Sequence, residues 1–264
     1  MISTYRALLV AQIQSAAQYR VQSILWMLFS VIRPVIFLAA WVAVANSQGG
    51  QIGAYDVRDF AAYYIALSLV SNLATSWNAY EFEFEVRMGR LSPKLLRPLH
   101  PIHYSVVENL VWKLTTIIPL SIVLVFIALT FDARFRTTPT HLLLFVPSVL
   151  LAGSLAFLSG WVLATLAFWT TRVHAVSTFW DRAAFIFAGQ IAPLALLPGP
   201  LQAISLALPF GYILGVPAEI LRGGVSVTTA LELMVGQVFW VVVFYVAFQR
   251  VWRVGVRQYS AVGA

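Results

Sequence analysis

Six apolar stretches constrain the fold of this chain most strongly, because each is long enough to cross a membrane as a helix. The hydrocarbon core of a bilayer is about 30 Å thick and needs roughly 20 helical residues. With 60% hydrophobic and 10% charged residues, the 264-residue chain has more apolar surface than one soluble core requires. The sequence predicts an all-α, polytopic membrane protein of one domain, 1 to 264, with transmembrane helices near 22 to 45, 59 to 80, 106 to 131, 141 to 169, 175 to 197 and 227 to 249.

The positions of the basic residues predict how the chain is oriented. If the amino terminus is cytoplasmic, twelve Lys and Arg residues lie on or near the cytoplasmic face, and four lie outside: Arg58, Arg134, Arg136 and Arg222. Basic residues favour the cytoplasmic side, so both termini are expected there. The net charge of +7 also suits nucleic acid, but the cations flank apolar runs, where membrane lipid explains them. No nucleic-acid partner is therefore expected.

Residues 1 to 20 are predicted to form an amphipathic helix along the membrane surface. One face of this helix is apolar at helical spacing: Ile2, Tyr5, Leu9, Ile13 and Ala16. The opposite face is polar: Ser3, Arg6, Gln14 and Gln18. An ordinary polar tail is the alternative, but the periodicity runs through four turns. The segment is too polar for a signal-peptide core, so no cleavage is expected.

The longest polar interruption on the predicted cytoplasmic side covers residues 81 to 104, with the sequence EFEFEVRMGRLSPKLLRPLHPIHY. Glu83 and Arg87 stand four apart, which supports a helix. Gly89 is suited to a left-handed cap, and Ser92 before Pro93 to a second short turn. Arg97 before Pro98 cannot comfortably continue that turn. The pattern predicts a helix, a bend and a hook that form a contact surface; a solvated loop whose cations only orient the protein is the alternative.

A second interruption, from 191 to 224, is apolar but rich in proline and glycine, so no uninterrupted spanning helix fits it. We expect two short helices, roughly 200 to 207 and 216 to 222, in a re-entrant external hairpin at 198 to 225. Irregular backbone at membrane depth requires protein or a water-lined cavity around it. The hairpin is a candidate outer gate, or else a cap that packs on the helix ends, and its candidate residues are Pro198, Pro200, Pro209, Phe210, Gly211, Tyr212, Pro217 and Glu219.

Three charged residues inside predicted spans are candidate intramembrane charges: Arg33, Asp181 and Arg182. Arg33, followed by Pro34, lies near the middle of the first span, where a charge costs at least about 2.5 kcal/mol on insertion scales. It either faces a subunit interface or substrate path, or reaches toward the surface from a kinked helix. Asp181 and Arg182 enter the fifth span together and are expected to neutralise each other in part.

Several functional classes are poorly supported by the composition. The chain has no cysteine and four scattered histidines, so no metal site is predicted. An intramembrane enzyme would need facing catalytic groups inside the spans. A secondary transporter driven by an ion gradient would need carboxylates or broken helices near the midplane. Both remain alternatives to an ATP-driven transporter, as does a passive scaffold subunit.

Two motifs resemble those of a known family. The cytoplasmic loop fits the pattern E-x-R-x-G-x-L-x-x-x-L-L-R-P-L through Glu85, Arg87, Gly89, Leu91, Leu95, Leu96, Arg97, Pro98 and Leu99. The external segment carries ALLPGP and then LPFGYILGVP, within 194 to 200 and 208 to 217. Together with the overall hydropathy pattern, these motifs make the whole chain resemble the permease subunits of type-2 ABC exporters.

The resemblance implies that the chain is a permease of the bacterial-type cytoplasmic (inner) membrane. It would pair with a second permease, identical or related, and with two separate cytoplasmic ABC ATPase subunits. Neither an enzymatic activity nor a cofactor is expected in this chain, since it has no G-x-x-x-x-G-K-[ST] loop; ATP and Mg would belong to the ATPase partner. The resemblance implies that the loop couples the permease to the ATPase through Glu81, Glu83, Glu85, Arg87, Gly89, Arg90, Leu91, Leu95, Leu96, Arg97 and Pro98.

Overall fold

Helices make up most of the computed structural model, which describes residues 2 to 170 and 173 to 259. The longest are α2 (Arg20–Ser47), α6 (Ile102–Thr130), α7 (Pro139–Thr165) and α12 (Val227–Gly255). The shorter ones are α1 (Ile2–Gln18), α3 (Val57–Ala74), α4 (Asn78–Arg87), α5 (Leu91–Leu95), α8 (His174–Phe187), α9 (Gly199–Ala207), α10 (Phe210–Ile213) and α11 (Gly215–Arg222). Strands β1 (Gln51–Ile52) and β2 (Tyr55–Asp56) pair antiparallel in a small hairpin. The predicted helical class is confirmed, with this hairpin as an unpredicted addition.

Within the described chain, four helices are long and apolar enough to cross a membrane: Val21–Ser47, Ile102–Thr130, Pro139–Phe168 and Val227–Gly255. They match the predicted first, third, fourth and sixth spans. Their outward surfaces carry large exposed apolar side chains, such as Leu129, Leu143 and Val235. A continuous apolar surface of this kind suits lipid rather than water. The chain is a multi-pass membrane protein.

The predicted second span, 59 to 80, is not one continuous helix. α3 ends at Ala74, Thr75 has an extended backbone, and α4 begins at Asn78. α3 is not among the four long apolar helices, although it is buried along most of its length by contacts with α2, α6, α7 and α11. Because protein rather than lipid surrounds this helix, it tolerates tyrosine, serine and charged residues that a lipid-facing span would exclude.

The predicted fifth span, 175 to 197, is also interrupted. α8 ends at Phe187 after 14 residues, a length of about 21 Å that falls short of the roughly 30 Å needed. The chain then turns at Gly189, whose φ of +83° is a left-handed conformation that favours glycine. The Tyr63 hydroxyl donates to the carbonyl of Gly189, and Tyr64 and Trp41 donate to the carbonyl of Ile191. These side chains satisfy the irregular backbone that follows α8.

α9, α10 and α11 follow this break, and we call them together the α9–α11 segment. α9 and α11 lie close to the predicted helices at 200 to 207 and 216 to 222, and α10 is an additional single turn. The segment packs where α3 and α7 begin, whereas residues 81 to 104 lie where α3 and α7 end. We call the end that contains residues 81 to 104 the loop end, and the end that contains the α9–α11 segment the opposite end.

α1 lies within residues 1 to 20, where the amino-terminal helix is predicted, and it packs on α6. Its less exposed face contains Tyr5, Leu8, Leu9, Gln12 and Ala16. The Tyr5 hydroxyl is hydrogen-bonded to His103 at the start of α6. Ile13 is half exposed, and the contacts of α1 with α6 include polar ones from Tyr5 and Gln12. The side chains of Ile2 and Ser3 lie outside the described part of the structure.

Candidate functional site

The loop end is built on Asn78, which starts α4 and is fully buried. Its side-chain amide donates to the carbonyl of Phe157 in α7 at 2.8 Å, and its amide oxygen accepts from the Ser76 hydroxyl at 2.9 Å. The chain between α3 and α4 is thereby fixed to α7. α4 consequently leaves the bundle from a defined point rather than from a flexible connection.

The inward side of the loop packs on an aromatic cluster made by the ends of α7 and α12. The Phe82 ring lies 4.9 Å from Trp161, 5.6 Å from Phe168 and 5.8 Å from Trp252, measured between ring centroids. Leu91 at the start of α5 is fully buried in the same cluster. Burying a large aromatic side chain stabilises a structure by about 1.5–3 kcal/mol. The loop is thus fastened to the ends of α7 and α12 through apolar contacts.

The predicted bend of the loop is confirmed. Gly89 has φ +68°, and the backbone N–H of Arg90 donates to the carbonyl of Glu85 at 2.8 Å, as in a left-handed helix cap. α5 follows at once, starting at Leu91 rather than at the predicted Ser92, and it ends before Arg97 and Pro98. The short helices α4 and α5 therefore meet at a fixed angle around Gly89.

The charges of the loop pair differently from the prediction. Among the ion pairs of the described residues, Lys94 pairs with Glu85, and none joins Glu83 to Arg87. The guanidinium groups of Arg87 and Arg90 instead lie over the Phe84 ring, at 6.0 and 5.2 Å from its centroid. Both are within the range of a cation–π interaction. The pair Lys94–Glu85 connects α5 back to α4 and closes the bend.

Glu81 lies on the side of α4 that faces α6, next to the carboxylate of Glu108. Burial and the Glu108 carboxylate raise the pKa of Glu81 to about 8. The side chain of Gln12 in α1 contacts Glu108 in turn. Glu81 therefore joins three elements, α1, α4 and α6, and its protonation is sensitive to pH near neutrality.

The outward side of the loop is exposed and both apolar and basic. Phe84, Met88 and Leu96 expose 41%, 55% and 87% of their surface. Three arginines and a proline of the predicted coupling set share this exposure: Arg87, Arg90, Arg97 and Pro98. Leu91 and Leu95 of the same set point inward, and Glu81, Glu83 and Glu85 are half-buried. The structure thus divides the predicted coupling residues into a side packed against the rest of the chain and an exposed side.

At the opposite end, a buried network of charges holds the α9–α11 segment. Arg222 forms ion pairs with Glu219 at 2.8 Å and with Asp59 at 3.4 Å, and these three residues expose 3%, 5% and 1% of their surface. Arg136 adds a second cation on Asp59 at 2.7 Å. The Tyr55 hydroxyl donates to Glu219 at 2.6 Å, and the Tyr55 ring lies 4.4 Å from the Arg222 guanidinium carbon. Two carboxylates and two guanidinium groups balance one another in this network.

Burial and the Glu219 carboxylate raise the pKa of Tyr55 well above its usual range, so its hydroxyl remains a donor. Arg136 belongs to the α6–α7 connection, Tyr55 to β2 and Asp59 to the first turn of α3. Glu219 and Arg222 belong to α11. The network therefore ties four parts of the chain together at one point. Breaking a buried ion pair by removing one partner is strongly destabilising.

The predicted gate residues divide between exposed and buried positions. Pro198 and Pro200 are exposed at the start of α9, and the other six are buried: Pro209, Phe210, Gly211, Tyr212, Pro217 and Glu219. The carbonyl of Tyr212 accepts from the side-chain amide of Gln237 in α12 at 2.9 Å. Gln237 is itself fully buried and accepts from Ser148 in α7 at 3.0 Å. Hydrogen bonds therefore connect Tyr212 of this segment to α12, and α12 to α7.

The predicted intramembrane charges do not pair with one another. The Arg33 guanidinium lies 5.0 Å from the centroid of the Phe185 ring, across the contact between α2 and α8. Asp181 accepts a hydrogen bond from the Tyr80 hydroxyl at 2.5 Å. Arg182 is exposed, and consecutive residues of a helix do not face each other, which is why the expected neutralisation by Asp181 does not occur.

Sequence reasoning missed the network at the opposite end, since Asp59, Tyr55 and Arg136 received no site role. Local signals for part of it exist: Asp56 and Asp59 form a capping box before an apolar run, and Glu219 and Arg222 stand three apart on α11. Gln237 is an isolated polar residue within the apolar part of α12 and carries no local signal. Within the described residues, no group of three or more His, Cys, Asp or Glu is placed to hold a metal ion.

Comparison with known proteins agrees with these features. No curated protein matches the chain significantly. The sequence profile of a family described as "ABC-2 family transporter protein" matches residues 20 to 263, which is nearly the whole chain. The matched region contains the four long apolar helices, the loop and the α9–α11 segment. The chain belongs to the ABC-2 family of transporter proteins.

Proposed function

We propose that this chain is the membrane-spanning permease subunit of an ATP-driven exporter, and that the 81–104 loop receives the movement of separate ATPase subunits. The observation that carries the proposal is the two-sided construction of the loop. Its inward side is packed on α7 and α12 through Phe82 and Leu91, and its outward side exposes Phe84, Met88 and Leu96. An exposed apolar group rimmed by arginines is typical of a protein interface.

Displacement of the outward side reaches the bundle through few steps. The bend at Gly89 is closed by the Lys94–Glu85 pair, so α4 and α5 move together. α4 is joined to α7 by Asn78 and to the end of α12 by Phe82. A partner that displaces Met88 or Leu96 would therefore also displace α7 and α12, because α4 and α5 move together and α4 contacts both helices.

Family membership supports the same function. An ABC-2 permease is a component of a transporter and is not itself catalytic, and such permeases in general work with an ATPase partner. The sequence contains no phosphate-binding G-x-x-x-x-G-K-[ST] loop. We assign ATP and Mg to the partner. The pattern E-x-R-x-G-x-L-x-x-x-L-L-R-P-L supports placing the chain in the type-2 exporter branch, with the exposed residues of that pattern on the ATPase.

The proposed working unit contains two permeases, identical or related, in a bacterial-type cytoplasmic membrane. α3 with the chain up to residue 80, and α8 followed by the α9–α11 segment, complete six crossings in each permease as one domain. Both termini and the 81–104 loop lie in the cytoplasm. The excess of basic residues on that side supports the orientation. α1 then lies along the cytoplasmic surface of the membrane, next to the loop.

The α9–α11 segment is proposed to close the outer end of the path as a fixed cap. The ion network and the hydrogen bonds of Tyr212 favour this role over that of a freely moving gate. Pro198 and Pro200 are exposed and leave the start of α9 as the part able to move. A cross-link between the start of α9 and a neighbouring span that blocks transport would support a gate there, and undiminished transport would support the fixed cap.

Co-purification tests the proposed function. The chain is co-expressed with ABC ATPase subunits from the same genome, solubilised in mild detergent, and isolated through a tag on the permease. We expect an ATPase to be retained by the wild-type chain. We also expect the variant Met88→Asp/Leu96→Asp to lose it, because charge at an apolar contact opposes burial. The exposed variant Leu129→Asn on α6 is the matched control. Failure of any ATPase to associate with the wild type would overturn the proposal.

A further inference from the structure

Arg33 occupies an unusual position in α2. It lies close to the middle of the 27-residue span Val21–Ser47, and its side chain is exposed on the surface of the bundle. A guanidinium group is always charged and presents five donors. Among residues 2 to 170 and 173 to 259, no carboxylate forms an ion pair with it, and its guanidinium group lies over the Phe185 ring. The ring face offers partial compensation but leaves the hydrogen-bond donors unused.

The nearest acidic residue on the facing helix is already engaged. Asp181 lies one helical turn before Phe185 on α8 and accepts from the Tyr80 hydroxyl. The distance between Asp181 and Arg33 exceeds that of an ion pair, so the chain itself does not neutralise Arg33. A charge in this position at membrane depth is costly unless an anion accompanies it.

The surface around Arg33 is apolar on the neighbouring turns of α2. Phe29 and Ile36 lie one turn before and after it, and both are more than half exposed. α8 ends at Phe187, only half a turn beyond Phe185, so a short helix borders the position on one side. The positive charge of Arg33 is complementary to an anionic headgroup, and the apolar surface on both sides of it is complementary to an alkyl chain.

We infer that Arg33 and Phe185 form a binding position for the anionic headgroup of an amphiphile, a phosphate, sulfate or carboxylate, with its hydrocarbon chain along Phe29 and Ile36. The inference rests on the proposed permease function, for which it names the class of cargo. The headgroup accepts two hydrogen bonds from the guanidinium in the bidentate geometry that oxyanions favour. The same chemistry belongs to the anionic lipids of the bilayer, which the experiment separates from cargo.

Binding is measured on the full-length chain in nanodiscs of phosphatidylcholine, by equilibrium dialysis with labelled dodecyl phosphate and with empty nanodiscs as background. We expect saturable binding that dodecyl maltoside, an uncharged amphiphile, does not displace. Arg33→Gln weakens this binding about tenfold or more, and Arg33→Lys retains part of it, because the charge remains but the bidentate geometry is lost. Arg253→Gln, at an exposed arginine near the end of α12, is the control and leaves binding unchanged.

Two results overturn the inference: equal binding by wild type and Arg33→Gln, or no saturable binding by the wild type. Nanodiscs that contain phosphatidylglycerol distinguish the source of the anion. Persistence of dodecyl phosphate binding there supports the cargo assignment, whereas its loss assigns the position to resident lipid and overturns the cargo assignment. Because no ATPase is present, a negative result leaves the proposed permease function standing; that function fails only if no ATPase associates with the chain.

Discussion

The two ends of this protein hold their helices together by different chemistry. At the loop end, Phe82, Trp161 and Trp252 make contacts between rings, whereas at the opposite end Asp59 and Arg222 are joined by buried ion pairs. Rings can shift by fractions of an ångström without breaking a hydrogen bond or an ion pair. A buried carboxylate that loses its cation becomes very unfavourable. The loop end is thus suited to transmit small displacements, and the opposite end to keep its arrangement while they occur.

Removal of Arg222 is expected to have the largest effect on stability, because it leaves Asp59 and Glu219 buried with one cation fewer. Arg222→Met should lower the free energy of unfolding by about 4 kcal/mol. Thermal unfolding of the purified chain in detergent measures the change. Arg58→Met is the matched control, since the Arg58–Asp132 pair is exposed and worth about 0–1 kcal/mol. Equal losses in the two variants would show that the network does not hold the opposite end.

Truncation of Phe82 tests the aromatic cluster of the loop end. Phe82→Ala should cost about 3 kcal/mol, because the ring leaves a cavity among Trp161, Phe168 and Trp252. The same unfolding measurement applies, with Phe84→Ala as the control, since Phe84 lies two residues away on the exposed side. A loss of similar size in Phe84→Ala would contradict the division of the loop into two sides.

Glu81 makes the loop end sensitive to pH, unlike the mutually neutralised network. Its pKa is about 8 in the folded protein, above the ordinary value of 4.5, so the folded state binds more protons than the unfolded state between these values. Stability should therefore fall as the pH rises from about 5 to about 8. Unfolding temperatures measured across this interval should change less in Glu81→Gln. An identical pH profile in the variant would remove Glu81 as the cause.

Leu96→Asp is expected to change stability least, by no more than about 0.5 kcal/mol, because the side chain is almost fully exposed. Its effect should instead be on association with the ATPase, measured by co-purification and by transport-coupled ATP hydrolysis. Leu129→Asn, at an exposed position of α6 far from the loop, gives an unrelated surface change for comparison. Normal coupling in a folded Leu96→Asp protein would exclude this residue from the contact.

Long apolar helices are readily predicted from sequence because their length and hydropathy are local properties. The starts of α6 and α7 follow from Pro101 and Pro139, and the bend of the loop follows from Gly89. The interruption after Ala74 has no proline or glycine to mark it. It depends on the distant carbonyl of Phe157, which binds Asn78, so local patterns could not predict it.

The candidate site also has features that the local sequence predicts and features that depend on contacts between distant residues. Exposure of Arg87, Arg90 and Arg97 follows from their charge, but the Lys94–Glu85 pair depends on how α5 folds back on α4. Nothing near Asp59 in the sequence points to Arg222, which lies 163 positions away. Buried polar networks are specified by three-dimensional proximity, and only their capping and helical fragments leave a pattern along the chain.

The sequence distance between Asp59 and Arg222 has a consequence for biogenesis. During synthesis, Asp59 and Arg136 emerge long before Glu219 and Arg222, so the network closes only when α11 has been made and placed beside α3. In a chain that stops before α11, Asp59 at the start of α3 has Arg136 but lacks its second cation, Arg222. Closure of the network is therefore a late step of folding, because it requires Glu219 and Arg222 of α11.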